Sequence, residues 1–217
     1  VLDKGKEILR QEGRLGYEQY SATGFYLWGI KLPKSLSYSF IKPVKIFNIE
    51  MYYDARNLAY LTSEPFFLAK MEIGKIDNFF DEITTKIYQL QKIRWEKYNI
   101  ITAISEDSTD KMPWFVYNSV YFNSQTWLCT SPGGKPYPQY KSLSTKSAFA
   151  WSAIYSDSYS TLLKNKVKKL VNQEYGYYTG IYEKNNKTNK SVNINTNAVI
   201  LESLLYKKLK GKSFLEN

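Results

Sequence analysis

The chain has 217 residues, a formal net charge of +10 at pH 7, no histidine and a single cysteine, Cys129. Without histidine, these residues can build neither a histidine-assisted serine or cysteine nucleophile nor a histidine-based zinc site. One cysteine cannot form an internal disulfide or a cysteine-rich metal cluster, and we predict that Cys129 is a packed, unreactive thiol. Acid–base chemistry therefore falls to Asp, Glu, Tyr or Lys, and we expect no metal and no other cofactor.

The basic charge does not indicate a nucleic-acid partner. Only four of the 30 basic residues are arginines, whereas base readout and phosphate recognition favour arginine. No apolar run approaches the roughly 20 residues that a membrane span needs, so no span is predicted. The chain begins at Val1 without an initiator methionine or a signal peptide, which suggests a fragment or a processed product.

The first half of the chain contains most of the helical periodicity. Helices are predicted over residues 1–11 and 17–30, and a helical pair over residues 62–74 and 78–98, the last with an apolar stripe at every fourth position. Residues 47–53 alternate like a short strand.

The second half opens with a long segment, residues 99–140, that reads as short strands and extended loops. Ordered segments of this length between helices are usually functional. Helices are predicted again over residues 145–154, 158–172 and 195–210, with a small aromatic hairpin at residues 175–183 between the last two.

One helix start differs from the others in carrying an acid. Residues 62–65 (TSEP) run into an apolar helix, with Ser63 or Thr62 suited to cap it and Pro65 suited to its first position. Similar polar corners occur around Thr23, Thr145 and Thr196, and their spacing suggests helical hairpins of about 40 residues. Capped starts of this kind fit inner helices whose N-termini surround a polar bowl. We therefore predict a single, mostly α domain over residues 1–217, either a solenoid or an α/α-toroid.

Seven segments together resemble a bacterial family that is catalogued as a domain of unknown function and is similar in architecture to six-hairpin, α/α-toroid glycoside hydrolases. They are residues 17–20 (YEQY), 62–65 (TSEP), 105–107 (SED), 115–118 (FVYN), 143–149 (LSTKSAF), 176–183 (GYYTGIYE) and 195–197 (NTN). The resemblance implies an α/α-toroid, with short β hairpins and long loops at one end, that acts on a glycan in the periplasm or at the cell surface.

Members of that family are longer at the N-terminus. Since about seven helices cannot close a ring of twelve, the resemblance implies that this chain is the C-terminal part of a longer domain. It also implies that an N-terminal segment or a second chain completes the toroid.

Glycosidic hydrolysis needs a protonated carboxyl and a second carboxylate, and three acidic residues are the catalytic candidates. Glu64 is the acid in the helix-start corner, although a purely structural capping role explains it equally well. Glu106 and Asp107 are adjacent, so on an extended segment they point in opposite directions and at most one faces the bowl. A cation is disfavoured at a helix start, and Lys146 is therefore expected to pair with Glu64 or Glu106; it is also a candidate for binding the substrate.

Two further groups are candidates for binding a sugar. Asp54 and Arg56 lie beside two tyrosines, with a simple Asp–Arg ion pair as the alternative, and Glu18 is open to the same two interpretations. Aromatic rings stack on sugar faces while amides bind hydroxyl groups; the candidates are Trp114, Tyr117, Asn118, Trp127, Tyr177, Tyr178 and Asn197.

These residues favour a carbohydrate-active domain, a hydrolase or transglycosylase that acts on a bacterial polysaccharide such as a glucan through paired carboxylates. The alternative is a non-catalytic glycan-binding or scaffolding domain. A basic, nucleic-acid-binding helical repeat is a third hypothesis, which steep salt dependence of binding would reveal. The expected partner is thus an oligo- or polysaccharide.

Overall fold

The structure, a computed structural model, describes residues 2–3, 5–7, 13–56 and 60–216. It contains seven α-helices within these ranges: α1 (Tyr17–Leu27), α2 (Pro33–Leu36), α3 (Glu64–Glu72), α4 (Asn78–Tyr98), α5 (Thr145–Ile154), α6 (Ser158–Val167) and α7 (Ile194–Lys208). Short 3-10 turns lie at Pro138–Tyr140 and Phe214–Glu216. Five helix predictions, those of α1, α3, α4, α5 and α7, are confirmed to within a few residues at each end; α6 ends five residues before the predicted end.

Twelve short strands accompany these helices in the described ranges. They are β1 (Leu2–Asp3), β2 (Lys6–Glu7), β3 (Ile41–Ile46), β4 (Ile49–Asp54), β5 (Glu106–Ser108), β6 (Phe115–Phe122), β7 (Gln125–Thr130), β8 (Ser142–Ser144), β9 (Val171–Asn172), β10 (Gly176–Tyr177), β11 (Gly180–Tyr182) and β12 (Thr188–Asn189). They form two three-stranded sheets, β5-β6-β7 and β12-β11-β8, and three two-stranded ribbons, all antiparallel.

The prediction of a mostly α, α/α-toroid fold is wrong. The described residues form a mixed α/β structure in which antiparallel sheets take up segments between and beside the helices. An α/α-toroid is built from helical hairpins, and this chain interrupts its helices with paired strands. The reason for expecting a further segment or a second chain to complete a ring disappears with the toroid.

The helix predicted over residues 1–11 is also wrong where the structure describes it. Leu2–Asp3 pairs antiparallel with Lys6–Glu7, and Gly5, with a φ of 78°, lies in the turn between them. Glycine adopts this left-handed conformation without a steric penalty. The other residues of the predicted helix lie outside the described ranges.

The strand predicted at residues 47–53 is displaced by two residues. Phe47 and Asn48 have φ values of 48° and 67° and form the turn between β3 and β4, which pair from Ile46 with Ile49 to Ile41 with Asp54. Two consecutive positive φ values are the conformation that a two-residue hairpin turn requires. The strand character of the segment is therefore confirmed, and its start lies after the turn.

Helix α3 lies at the centre of the hydrophobic core. Seven of its nine residues are buried, and it contacts α1, α4, α5 and α7. The long helix α4 packs one apolar face inward through Phe80, Ile83, Ile87 and Leu90, and the carboxylate of Asp77 caps its first turn by accepting from the Phe80 N–H at 2.8 Å. Within the described ranges, no helix has the length and hydropathy that crossing a membrane requires.

Three extended segments meet beside the start of α3. Leu61 forms an isolated bridge with Tyr121 of β6, and the Ser144 N–H at the end of β8 donates to the Ala103 carbonyl at 2.7 Å. Strand β8 runs directly into α5. These backbone bonds fix the positions of the side chains at the starts of α3 and α5 relative to β5.

Gly180 in β11 tests how closely this arrangement is packed. A Cβ at position 180 would lie 2.3 Å from the Leu143 carbonyl oxygen, which is backbone and cannot rotate away. We expect Gly180→Ala to separate β11 from β8 and to lower the free energy of unfolding by about 1–3 kcal/mol, the usual cost of overpacking.

Urea denaturation followed by circular dichroism measures the change, and Gly133→Ala is the matched control. A Cβ at position 133 meets nothing within 4 Å, so this variant is expected to stay within about 0.5 kcal/mol of the wild type. Equal stability of the two variants would contradict the close approach of β11 to β8.

Candidate functional site

The starts of four helices contribute to one group of polar side chains. Tyr17 is the first residue of α1 and Glu64 the first of α3, while Lys146 and Asn195 are the second residues of α5 and α7. A cavity of about 380 Å³ lies among them and is lined in part by Glu64, Glu106, Lys146 and Asn195. The starts of α3, α5 and α7 thus lie beside one polar cavity, although the fold is not the predicted toroid.

Glu64 forms the centre of the hydrogen-bond network. The Lys146 ammonium donates to Glu64 Oε2 at 2.5 Å, the Ser105 hydroxyl donates to the same oxygen at 3.0 Å, and Asn195 Nδ2 donates to Glu64 Oε1 at 2.9 Å. Lys146 also donates to Asn195 Oδ1 at 2.5 Å. Glu64 and Lys146 are 4% and 2% exposed, so the ion pair is buried, and Glu64 is one of the two partners that the sequence predicted for Lys146.

Glu106 is the carboxyl of this cavity whose pKa suits proton transfer near neutral pH. Its Oε1 accepts from the Thr62 hydroxyl at 2.6 Å, and the Tyr17 hydroxyl also bonds to it. Burial, and after it the charge of the nearby Glu64 carboxylate, raises the pKa of Glu106 to about 7, against the smaller opposing effects of the Thr62 hydrogen bond and the Lys146 charge. A carboxyl with this pKa holds a proton in a large fraction of molecules near neutral pH.

Asp107 faces away from the cavity. The cavity wall includes its neighbours Glu106 and Ser108, as the alternation of side chains along β5 requires. Asp107 Oδ1 accepts from the Ser144 hydroxyl at 3.0 Å, and Oδ2 has no hydrogen-bond partner among the described residues. Burial raises the pKa of Asp107 to about 6. The expectation that at most one of the two adjacent acids faces the bowl is met.

The corner before α3 folds differently in detail from its prediction. Ser63 is the N-cap residue but makes no capping bond with its side chain, Glu64 is the first helical residue, and Pro65 is the second. Thr62 uses its hydroxyl on Glu106 instead of capping the helix. The corner predicted around Thr23 is not a helix start, because Thr23 lies inside α1 and its hydroxyl donates to the Gln19 carbonyl at 2.8 Å.

Asp54 and Arg56 form a separate ion-pair network. The Arg56 guanidinium donates to the Asp54 carboxylate and also to Glu18 of α1. It lies over the Phe40 ring, 4.3 Å from its centroid. The simple Asp–Arg ion pair considered as the alternative is therefore present. None of these residues lines the cavity that contains Glu64 and Glu106, which we call the carboxylate cavity.

The predicted sugar-binding aromatic residues are dispersed over the structure. Tyr117 stacks on Tyr60 with ring centroids 4.3 Å apart, and Trp127 lies under Arg94 at 5.0 Å. Tyr177 packs edge-on against Phe149. None of the three aromatic candidates lines the carboxylate cavity.

The other predicted binding residues also lie elsewhere. Trp114 is exposed immediately before the start of β6, and the Tyr178 hydroxyl accepts from Asn172 Nδ2 at 3.1 Å. Asn118 Nδ2 donates to the Ser142 hydroxyl at 3.3 Å, and Asn197 Oδ1 accepts from the Tyr177 N–H at 2.9 Å. The amide groups are thus engaged within the protein and do not line the cavity.

Several residues that line the cavity or bond to its carboxyl groups were not among the predicted site residues. Asn195, Tyr17, Ser105 and Thr62 all stand in the segments that carry the family resemblance, and Phe115 lines the cavity wall. Asn195 occupies the same place in the first turn of α7 that Lys146 occupies in α5. This shared position could have identified Asn195 from the sequence.

The single thiol of the chain is unsuited to catalysis, because burial raises the pKa of Cys129 to about 12.

The fold and site define a mixed α/β domain with a buried lysine–carboxylate network beside a protonatable glutamate. A family model matches residues 1–210, and its description is a protein of unknown function, DUF3131. The chain belongs to this family, as the resemblance to a domain of unknown function implied. No significant match was found among curated proteins or among solved structures. The comparisons give no support to the likeness to glycoside hydrolases.

The buried pair between Lys146 and Glu64 should dominate the stability of the site. We expect Lys146→Met to lower the free energy of unfolding by about 3–5 kcal/mol, because it leaves the Glu64 carboxylate buried without its cation. Combining it with Glu64→Gln should cost much less than the sum of the two single changes.

Urea unfolding of the four proteins of this double-mutant cycle measures the coupling, and Lys86→Met is the control. Lys86 pairs with the exposed Glu82 one helical turn away on α4, so its loss is expected to cost less than about 1 kcal/mol. Equal losses for Lys146→Met and Lys86→Met would show that the buried pair is not a stabilising contact.

The raised pKa of Glu106 predicts a specific pH dependence of stability. The folded state holds the Glu106 proton up to about pH 7, whereas the unfolded chain releases it near its ordinary value of about 4.3. The contribution of this group to stability is therefore complete at acidic pH and is lost as the pH rises through 7.

Glu106→Gln removes this titration but keeps the shape of the side chain. We expect its stability relative to the wild type to improve by about 1–3 kcal/mol between mildly acidic and mildly alkaline pH, the range for an uncompensated buried charge. Urea midpoints across the pH range provide the measurement. Parallel stability curves for the two proteins would mean that Glu106 is not protonated in the folded state.

Proposed function

We propose that this domain is carbohydrate-active and hydrolyses or transfers glycosidic bonds of a bacterial polysaccharide such as a glucan. The observation that carries the proposal is that Glu106, with a pKa of about 7, and Glu64, in an ion pair with Lys146, line the same cavity. Two carboxyl groups in different protonation states are what glycosidic cleavage requires. A surface polysaccharide as substrate accords with the export to the periplasm or cell surface that the resemblance implied.

Glu106 is the general acid in this proposal. Its carboxyl transfers a proton to the glycosidic oxygen as the bond to the anomeric carbon breaks, so that the leaving sugar departs as a neutral alcohol. The Thr62 and Tyr17 hydroxyls hold the carboxyl in place at the cavity wall. Burial keeps the proton available near neutral pH.

Glu64 supplies the second carboxylate. It either takes a proton from the water that attacks the anomeric carbon or attacks that carbon itself, and in transfer a sugar hydroxyl replaces the water. Lys146 and Asn195 fix its position, since both bond to it directly. Asp107 lies on the opposite side of β5, where it accepts a hydrogen bond from the Ser144 hydroxyl, and it has no part in the proposed reaction.

The cavity also offers groups that suit a sugar ring. Phe115 presents an aromatic surface in its wall, while Asn193, Asn195 and Ser108 provide amide and hydroxyl groups. Sugars bind such combinations because apolar C–H faces stack on rings and hydroxyl groups exchange hydrogen bonds with polar side chains.

A non-catalytic glycan-binding domain is the second candidate. Its specific support is that Glu64 already accepts from three side-chain donors, Lys146, Asn195 and Ser105. A carboxylate so fully engaged can serve to build the cavity without reacting.

The test measures reducing ends released from soluble bacterial polysaccharides, glucans included, by the wild type, Glu106→Gln and Glu174→Gln. Loss of the acid is expected to lower kcat roughly a hundredfold to ten-thousandfold. The wild-type rate should fall as the pH rises above about 7, the pKa of Glu106. Glu174 is exposed in the loop between β9 and β10, and its variant should be as active as the wild type.

Two outcomes separate the candidates. Oligosaccharide binding without released product, unchanged in Glu106→Gln, would identify a binding domain. Release of product at the same rate by the wild type and Glu106→Gln would remove Glu106 from the mechanism.

A further inference from the structure

A second cavity, of about 470 Å³, lies at the other end of α3 from the site already described. Its wall includes Tyr20 of α1, Glu72 at the end of α3, Glu202 of α7, and Phe214 and Leu215 from the 3-10 turn. Glu72 follows Glu64 by eight residues on the same helix, which corresponds to about 12 Å along its axis. The second cavity is therefore separate from the Glu64 site.

Two carboxyl groups form the polar part of this cavity, and one of them lacks a partner. Glu72 Oε2 accepts from the Tyr20 hydroxyl at 2.5 Å. Glu202 Oε2 is fully buried and has no hydrogen-bond partner in the part of the chain that the structure describes. A buried acceptor without a donor has lost its hydrogen bonds to water without a replacement, so the binding of a hydrogen-bond donor there is favoured.

No cation of the described residues neutralises this pair. The charged groups that act on Glu202 are the Glu72 and Glu64 carboxylates of α3, and both oppose its ionisation. Tyr20 faces the pair from α1 and stays protonated, because burial and Glu72 raise its pKa. From the 3-10 turn, the Glu216 carboxylate accepts from the Ser213 N–H at 2.9 Å.

Apart from Ser21 and Gly24 of α1, the remainder of the cavity wall is apolar. Leu27 and Leu215 are 57% and 56% exposed at its edge, and Ile73 and Phe214 lie deeper. An apolar wall that ends at paired carboxyls matches a ligand with an apolar stem and a cationic head.

We propose that this second cavity binds an aliphatic ammonium group, with the cation between Glu72 and Glu202 and its carbon stem along Leu27 and Phe214. A free alkylamine and the lysine side chain of a partner polypeptide present the same chemistry. This inference does not rest on the proposed glycosidic activity, since no residue of the cavity takes part in it.

The protonation of Glu202 makes the affinity for an ammonium group depend on pH. Burial and Glu72 raise the pKa of Glu202 to about 7, and burial also raises the pKa of Glu72. A bound ammonium favours the ionised carboxylate, so binding near pH 7 releases a proton from the protein. Affinity therefore increases as the pH rises through 7, up to the pKa of the amine itself.

Isothermal titration of the full chain with n-hexylamine and with 1-hexanol tests the role of charge, because the two probes share their stem. At mildly alkaline pH we expect the amine to bind roughly tenfold or more tightly than the alcohol, the factor for one charge-assisted hydrogen bond. Glu202→Gln should abolish this preference for the amine without weakening the binding of the alcohol. The control Glu174→Gln, which alters an exposed glutamate, should retain it.

A second measurement needs no variant. The affinity of the wild type for hexylamine should rise between about pH 6 and about pH 8, while that for hexanol stays constant. Titrations near pH 7 in two buffers of different ionisation enthalpy should report the released proton.

The two sources of the ammonium are distinguished by a short acetylated peptide with a lysine between leucines. Tighter binding of this peptide than of hexylamine, lost on acetylation of the lysine, would indicate a polypeptide partner; the opposite order would indicate a free amine. The proposal is overturned if hexylamine binds no more tightly than hexanol, or if its affinity is independent of pH.

Discussion

The buried ion pair between Lys146 and Glu64 is the contact on which the arrangement of the site depends. Two charges are stable in an apolar interior only when each satisfies the other and their remaining hydrogen-bonding groups are occupied. Ser105 and Asn195 complete this requirement. Because the four side chains come from α3, α5, α7 and the segment before β5, the pair also fixes how these elements meet.

The same ion pair separates the properties of two neighbouring glutamates. Glu64 is in direct contact with the Lys146 charge, with Nζ of Lys146 at 2.5 Å from Oε2 of Glu64. Glu106, beside it, is buried, accepts from the Thr62 and Tyr17 hydroxyls, and experiences the negative charge of Glu64. One cation shared unequally between two buried carboxyls therefore yields one ion-paired carboxylate and one protonatable acid. The second cavity shows the opposite situation, since Glu72 and Glu202 have no such cation among the described residues.

The helices and several strand segments were predictable, whereas the pairing of the strands into sheets was not, for a physical reason. Helix α4 depends on local features, an apolar stripe and a capping aspartate, all within one segment. The sheets depend on pairing between distant segments, such as β8 with β11. Their turns also use residues other than glycine at positive φ, Phe47 and Asn48 in one hairpin and Asn123 and Ser124 in another. Such turns leave a weak signal, and the family resemblance favoured a helical fold.

The sequence by itself determined the available chemistry: carboxyls, lysines and hydroxyls without histidine, and polar residues at the starts of apolar helices. It also singled out Glu64, Glu106 and Asp107 as candidate carboxyl groups, and Lys146 as their partner because a cation is disfavoured at a helix start. Only the tertiary structure decided that Glu106 rather than Asp107 faces the cavity, since adjacent residues of a strand differ only in the side to which they point. It alone brought Tyr20, Glu72 and Glu202 together, because no local pattern encodes contacts between residues so far apart in the chain.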